Sequence, residues 1–207
     1  MTTVRLIAYS DYLCPWCFNA SVRLHRLEDE MDGRLAIEWR SFLLRPHARH
    51  GRSLAEFRAY TRSWLRPAQD GDGGTFRVWS TDAGPPSHSV PPHLLAKAAA
   101  ELGPPSFRDI HQRLLAAYFT DNRDITDPST QAAIWSEAGL PAAELARAEQ
   151  PRILEAVISE HNAAVELGIT GVPAVYVAGQ TAFVIGAQPY DTYRRWVDRV
   201  IAAASKT

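Results

Sequence analysis

The chain has 207 residues, 46% of them apolar, and its 22 basic and 23 acidic residues leave a formal charge of −1. That is enough apolar material for a substantial core in one elaborated domain or two, and too little charge asymmetry to gather a nucleic acid. No apolar run approaches the roughly 20 residues that cross a bilayer, and the start M-T-T-V-R-L-I-A-Y lacks the features of a secretory leader, so the chain is expected in the cytoplasm, away from membranes.

Val4 to Tyr9 is a short, nearly continuous apolar run, as in a strand covered on both faces. From Pro15 to Met31, Phe18, Val22, Leu24, Leu27 and Met31 recur at helical spacing, with Gly33 as the stop. Leu35 to Phe42 then alternates, Leu35, Ile37 and Trp39 on one face and Glu38 and Arg40 on the other. Strand, helix and strand within about 40 residues predict a parallel βαβ unit. From about Ser53 to Gln150 the pattern turns helical, with Phe107, Ile110, Leu114 and Tyr118 on one side of one helix and a second starting near Asp127 and stopping at Gly139. Trp64, Trp79 and Trp135 are expected in the core. Arg66 to Pro92, rich in Gly, Pro, Asp and Ser, reads as a mobile surface loop. Pro151 to Leu167 predicts another helix, closed by Gly168. Ala174 to Ala178 and Thr181 to Ile185 predict two strands joined by a tight hairpin at Gly179-Gln180. Pro189 opens a last helix whose Tyr193, Trp196, Val197, Val200 and Ile201 share a face.

Both cysteines of the chain lie in S-D-Y-L-C-P-W-C, Ser10 to Cys17, where the first strand hands over to the first helix. Two cysteines three apart on a first helical turn can bond or part with little backbone movement. Free backbone N–H groups and the positive end of the helix dipole favour a thiolate at Cys14, the expected nucleophile, while Cys17 sits one turn inside. Pro15 suits the first helical position, having no N–H to leave unpaired there. Trp16 is either a substrate-facing aromatic or a cover over the pair. Asp11 and Tyr12 either assist proton transfer or close the loop. Zinc, inert buried thiols and a purely structural disulfide compete with the redox reading. Zinc would need two more ligands, inert thiols would need a more enclosed place, and a four-residue loop constrains an unfolded chain little. No metal is expected. His47, His50, His88 and His93 read as solvated surface, and His161 as a structural histidine with a hydrogen-bond partner.

The second stretch of interest is G-I-T-G-V-P-A-V-Y-V, Gly168 to Val177, with a proline directly before a strand. C-P-W-C after a first strand and G-V-P before a late hairpin, separated by helices, resemble the DsbA-like branch of the thioredoxin superfamily. A-Y-F-T-D-N-R-D-I-T-D (Ala117 to Asp127) and G-A-Q-P (Gly186 to Pro189) are similar to its FrnE-like cytosolic members. The resemblance implies an α/β, thioredoxin-like fold with a large α-helical insertion, residues 1–52 and 151–207 forming the thioredoxin-like domain and 53–150 the inserted helical subdomain. It implies an attacking Cys14, a resolving Cys17 and a cis Pro173 packed against the disulfide, with Pro15 and Trp16 in support. Val172, Gly171 and Tyr12 would face the substrate, the Val172 backbone pairing with an extended peptide. Periplasmic relatives commonly carry histidine between the cysteines. An indole supplies no positive charge there, which points to a less oxidising couple.

The expected activity is dithiol–disulfide exchange on a protein or small-molecule thiol or disulfide. It needs no cofactor beyond the Cys14–Cys17 pair itself, with a low-molecular-weight thiol as a candidate electron partner. The alternative is a glutathione- or other thiol-dependent isomerase or transferase related to 2-hydroxychromene-2-carboxylate isomerase, whose attacking position generally holds serine. A third is a binding scaffold that retains an idle cysteine pair. The sequence does not set the oligomeric state or the physiological substrate.

Overall fold

The structure is a computed structural model, and it describes residues 3–204. Its centre is β1 (Val4–Ser10), which is apolar on both faces because both are covered. Val4, Leu6 and Ala8 join a core with Ala20, Leu24 and Leu27 of α1 (Pro15–Glu30) and with Tyr193 and Val197 of the last helix. Ile7 and Tyr9, on the opposite face, pack with Ala174, Tyr176, Ala164 and Ile169. β2 (Leu35–Ser41) runs parallel to β1, pairing Val4 with Leu35 and Ser10 with Ser41, and it buries Leu35 and Trp39 on the α1 side, as its alternation predicts.

The insertion follows. α2 (Leu54–Thr61), α3 (Val90–Ala100), α4 (Pro104–Phe119) and α5 (Pro128–Glu137) close around Trp64, Trp79, Trp135, Phe57, Ile110, Leu114 and Phe119. Short 3-10 turns at 62–65, 67–69 and 142–149 link them. Local chemistry fixes the ends: Ser53 and Glu56 form a reciprocal capping box, and the Asp127 carboxylate accepts from the Thr130 amide at 2.8 Å. The insertion core also takes in Tyr12, Leu13 and Phe18, so it grips both sides of the cysteine stretch.

α6 (Pro151–Glu166) returns the chain to the sheet, where β3 (Ala174–Val177) pairs antiparallel with β1 and β4 (Phe183–Ile185) with β3, giving the order β2-β1-β3-β4. α7 (Tyr190–Ala204) closes the fold. Among the described residues no helix is long and apolar enough to cross a membrane.

Two expectations change. The hairpin is not a two-residue one: the last β3–β4 pair is Tyr176 with Phe183. The reason is that the end of β3 stays with β1, the Ala178 amide donating to the Arg5 carbonyl at 2.9 Å, while Val177 to Gln180 make a separate turn with Gly179 at φ +85°. Nor is Arg66 to Pro92 a free surface loop. Its residues 66–80 form a strap pinned to α1 and α4: Asn19 Nδ2 donates to the Pro67 carbonyl at 2.9 Å, and Asn19 Oδ1 accepts from the Gly74 amide at 2.9 Å. The Arg77 amide donates to the Phe119 carbonyl at 2.8 Å, and Trp79 is 2% exposed. Val90 to Pro92 already belong to α3.

Candidate active site

β1 ends at Ser10, and four residues turn the chain into α1. Asp11 makes that turn. Its main-chain carbonyl accepts from the Cys14 amide at 3.1 Å, and its buried carboxylate accepts from the amides of Leu13 at 2.6 Å and Leu44 at 2.7 Å, so one side chain ties the cysteine loop to the chain leaving β2. Burial pushes the Asp11 carboxyl up to about 6, against the pull of Ser89, the Leu13 and Leu44 amides and the nearby Arg45.

Cys14 is the N-cap of α1 and Pro15 its first residue, which sets Cys14 at the positive end of the helix, with no first-turn amide bonded to its side chain. Both cysteines are free thiols, Cys14 5% exposed and Cys17 1%. The Cys14 thiol donates to the Val172 carbonyl at 3.3 Å. Val172 and Gly171 are half-buried, Pro173 is buried, and the Val172–Pro173 peptide is cis. Burial, then a hydrogen bond to the Cys14 sulfur and the charges of Cys14 and Asp11, push the Cys17 thiol well up. The two sulfurs are thus unequal: one stands at a helix tip facing a carbonyl, and the other is enclosed and held protonated. Trp16 is half-buried, with the Arg66 guanidinium 5.9 Å from its ring centroid.

Cys14, Pro15, Trp16, Cys17 and the Val172–Pro173 peptide therefore lie together, with Gly171 beside them. Tyr12 does not face outward with them. It is 3% exposed, and its phenol pairs with His111 Nδ1 at 2.9 Å, while Ser21 Oγ lies 3.0 Å from His111 Nε2. Around this chain gather His25, His93, Trp39 and Phe107, with His93 4.8 Å from the Tyr12 ring centroid.

His93 is thus buried rather than solvated, because it lies on the α3 face turned to β2 and the cysteine loop. Burial, with Lys97 nearby, pushes it down to about 3, and burial drives His111 well down too. Sequence reasoning missed His25 and His111, yet a signal was there. His111 falls between Phe107 and Leu114 on the apolar stripe of α4, and His25 follows Phe18 and Val22 at helical spacing on α1. His47 and His50 are exposed, and His161 Nδ1 accepts from the Leu43 amide at 3.1 Å.

Behind the cysteines, Asn19 and Arg23 on the next turns of α1 hold the strap. Arg23, buried, donates from Nε to Asp72, from Nη1 to the Gln188 carbonyl at 3.0 Å and from Nη2 to Asp70 at 2.8 Å. Asp72 in turn accepts from the Tyr190 amide at 3.2 Å, at the start of α7. Among the described residues no three His, Cys, Asp or Glu side chains gather as a metal site.

The comparisons bear on this arrangement as a whole. The family model described as DSBA-like thioredoxin domain matches residues 5–198. The chain belongs to the DSBA-like thioredoxin domain family. Solved DSBA-like structures share its fold. The cytosolic disulfide reductase DsbM from Pseudomonas aeruginosa, also solved with GSH, is 20% identical, with a TM-score of 0.75 over 96% of this chain and 99% of that one. The thiol-disulfide exchange protein alpha-DsbA2 from Wolbachia pipientis is 14% identical, with a TM-score of 0.63 over 96% and 82%. A 2-hydroxychromene-2-carboxylate isomerase is 13% identical, with a TM-score of 0.68 over 98% of both chains. No curated protein matches the sequence.

Proposed function

We propose that the protein is a cytoplasmic dithiol–disulfide oxidoreductase of the FrnE-like kind, acting as a reductase or isomerase through Cys14 and Cys17. The observation that carries this reading is the inequality of the two thiols. Cys14 stands at the N-terminus of α1 against the Val172 carbonyl, and Cys17 is buried behind it with its proton held.

In the reductive direction, the Cys14 thiolate attacks one sulfur of a substrate disulfide. A Cys14–substrate S–S bond forms, the substrate S–S bond breaks, and the departing sulfur leaves as a thiolate that takes up a proton. Cys17 then loses its proton and attacks the Cys14 sulfur, which forms the Cys14–Cys17 disulfide and frees the second substrate thiol. Two electrons have passed to the substrate, and a dithiol or two equivalents of a low-molecular-weight thiol restore the pair. The half-buried Val172 main chain beside the sulfur, its carbonyl released when the Cys14 thiol ionises, suits pairing with an extended substrate backbone. In isomerisation the mixed disulfide is returned to a different substrate sulfur, and the pair ends as it began.

The shared fold of the chromene isomerase supports a second reading, thiol-dependent isomerisation without a change of redox state. The test is insulin reduction and refolding of scrambled ribonuclease with Cys14→Ser and Cys17→Ser. Cys14→Ser should abolish both reactions, and Cys17→Ser should accumulate a mixed disulfide through Cys14. Full activity in Cys14→Ser would overturn the redox reading.

A further inference from the structure

The stretch from Leu43 to Pro67 carries six arginines, Arg45, Arg49, Arg52, Arg58, Arg62 and Arg66, and the histidines His47 and His50, against one acid, Glu56, in a chain whose formal charge is −1. Both ends of this stretch touch the cysteine loop. At one end the Leu44 amide is held by Asp11, and the charge of Arg45 acts on that carboxyl. At the other the Arg66 guanidinium lies over Trp16. Its first part is fixed against residues 86–89: the Ser89 amide donates to the Arg45 carbonyl at 2.8 Å, the Arg49 amide to the Ser87 carbonyl at 3.0 Å, and Arg45 Nη1 to the Pro86 carbonyl at 2.8 Å. His88 stands among these cations, its own protonation opposed by burial and by His50, Arg45 and His47.

Most of this positive charge is not ion-paired. Glu56 is occupied by the amide and hydroxyl of Ser53, at 2.8 and 2.7 Å. Arg58 pairs with Asp82 at 3.0 Å, but Arg49, Arg52, Arg62 and Arg66 are exposed and have no ion pair among the described residues; Arg52 lies instead over the Tyr60 ring at 4.7 Å. Elsewhere Arg26 pairs with Glu30, Arg108 with Asp29 and Arg194 with Asp198, and the exposed arginines outside ion pairs, Arg77, Arg195 and Arg199, are spread along the chain rather than gathered in one stretch. Beside the two ends that touch the cysteine loop stand exposed leucines, Leu44 next to Arg45 at 46% and Leu65 next to Arg66 at 55%.

We propose that this basic rim selects the substrate of the cysteine pair, favouring peptide disulfides with carboxylates flanking the half-cystine. The proposal rests on the redox reading above and adds a specificity to it. Carboxylates near the sulfur are drawn toward Cys14 by exposed guanidinium groups that stand outside any ion pair among the described residues, and the leucines give the peptide apolar contact. Such attraction acts mainly on encounter and is weakened by salt.

The test uses the reduced full chain and three short symmetric peptide disulfides identical except for flanking Glu, Ser or Lys, each rate normalised to that with dithiothreitol. At low salt the normalised second-order rate constant for the Glu peptide should exceed that for the Ser peptide by about tenfold, with Lys lowest, and the gap should narrow at about 500 mM salt. The variant Arg49→Ser/Arg52→Ser/Arg62→Ser should bring the Glu-to-Ser ratio close to one, and Arg→Lys at the same three positions should keep it high, which separates charge from any loss of folding. Equal rates for the three peptides, a gap indifferent to salt, or an unchanged ratio in the serine variant would each overturn the proposal. Failure to reduce any of the three would overturn the redox reading itself, and the specificity with it.

Discussion

The Cys14 thiol and the Val172 carbonyl oxygen, separated by 158 positions in sequence, meet at 3.3 Å. The contact joins the tip of α1 to the loop before β3, so the Cys14 sulfur is placed by two segments far apart in the chain. Cys17, one turn further in, is 1% exposed against 5% for Cys14.

That inequality sets the order of alkylation. Iodoacetamide added to the reduced native protein near neutral pH should modify Cys14 first, with Cys17 slower by on the order of 100-fold, because burial and its neighbours hold the Cys17 proton. Denaturant should make the two alike. Peptide mass spectrometry over time reads both rates, and equal labelling in the native state would contradict the assigned roles.

The buried histidines predict acid sensitivity. His93 and His111 are held neutral in the folded protein, whereas in the unfolded chain they titrate near 6.5. Their contribution is therefore complete above pH 6.5 and is lost as pH falls toward the depressed folded values, by about 1.4 kcal/mol per pH unit for each histidine. Asp11 runs the other way. Its carboxyl, raised from 3.8 to about 6, contributes stability below 3.8 that disappears as pH rises through 6. With two histidines against one carboxyl, these three groups together destabilise the fold on acidification from pH 6.5 to 4. Urea unfolding at pH 7.5 and pH 5 should show His93→Phe losing about 2 kcal/mol less than the wild type between the two conditions, whatever its stability at either.

Gly74 presses the strap onto α1. A Cβ there would overlap the Phe18 ring, which itself stacks on Phe119. Gly74→Ala should cost about 1–3 kcal/mol. Gly84→Ala, whose added atom meets nothing within 4 Å, should stay within about 0.5 kcal/mol of wild type. Thermal melts of the pair measure the difference, and a neutral Gly74→Ala would mean that the strap is not seated on Phe18.

Arg23 serves three acceptors on two segments with one planar group. Lysine offers no such fork, so Arg23→Lys should lose about 2 kcal/mol and loosen the strap. Limited trypsin digestion should then cut at Arg77, an exposed strap residue, faster than in the wild type.

Much of this was legible in advance, and what was not has a common cause. β1, α1, β2 and α7 declare themselves through their periods, and the cysteine pair through its place at a strand-to-helix junction. α1 also carries Asn19, Ser21, Arg23 and His25, which a helix considered alone turns outward; here all four are buried. They are buried because α1 is enclosed by the sheet, by α4 and by the strap, and none of that enclosure is written in α1 itself. The strap was hidden for the same reason. Its Gly, Pro and Asp residues announce irregular backbone, correctly, but its fixation depends on partners 47 to 55 residues distant, such as Asn19 with Gly74 and Arg23 with Asp70. Trp79 was the clue that so polar a stretch had something to bury.

Asn19 and Arg23 also offer a handle from the rear. They stand on the helix that Cys14 caps and that carries Cys17, and they hold the segment that carries Arg66 onto Trp16. On the proposed redox reading, an engineer seeking to retune the pair could leave the Pro15-Trp16 dipeptide untouched and adjust instead the fastening of the wall behind it.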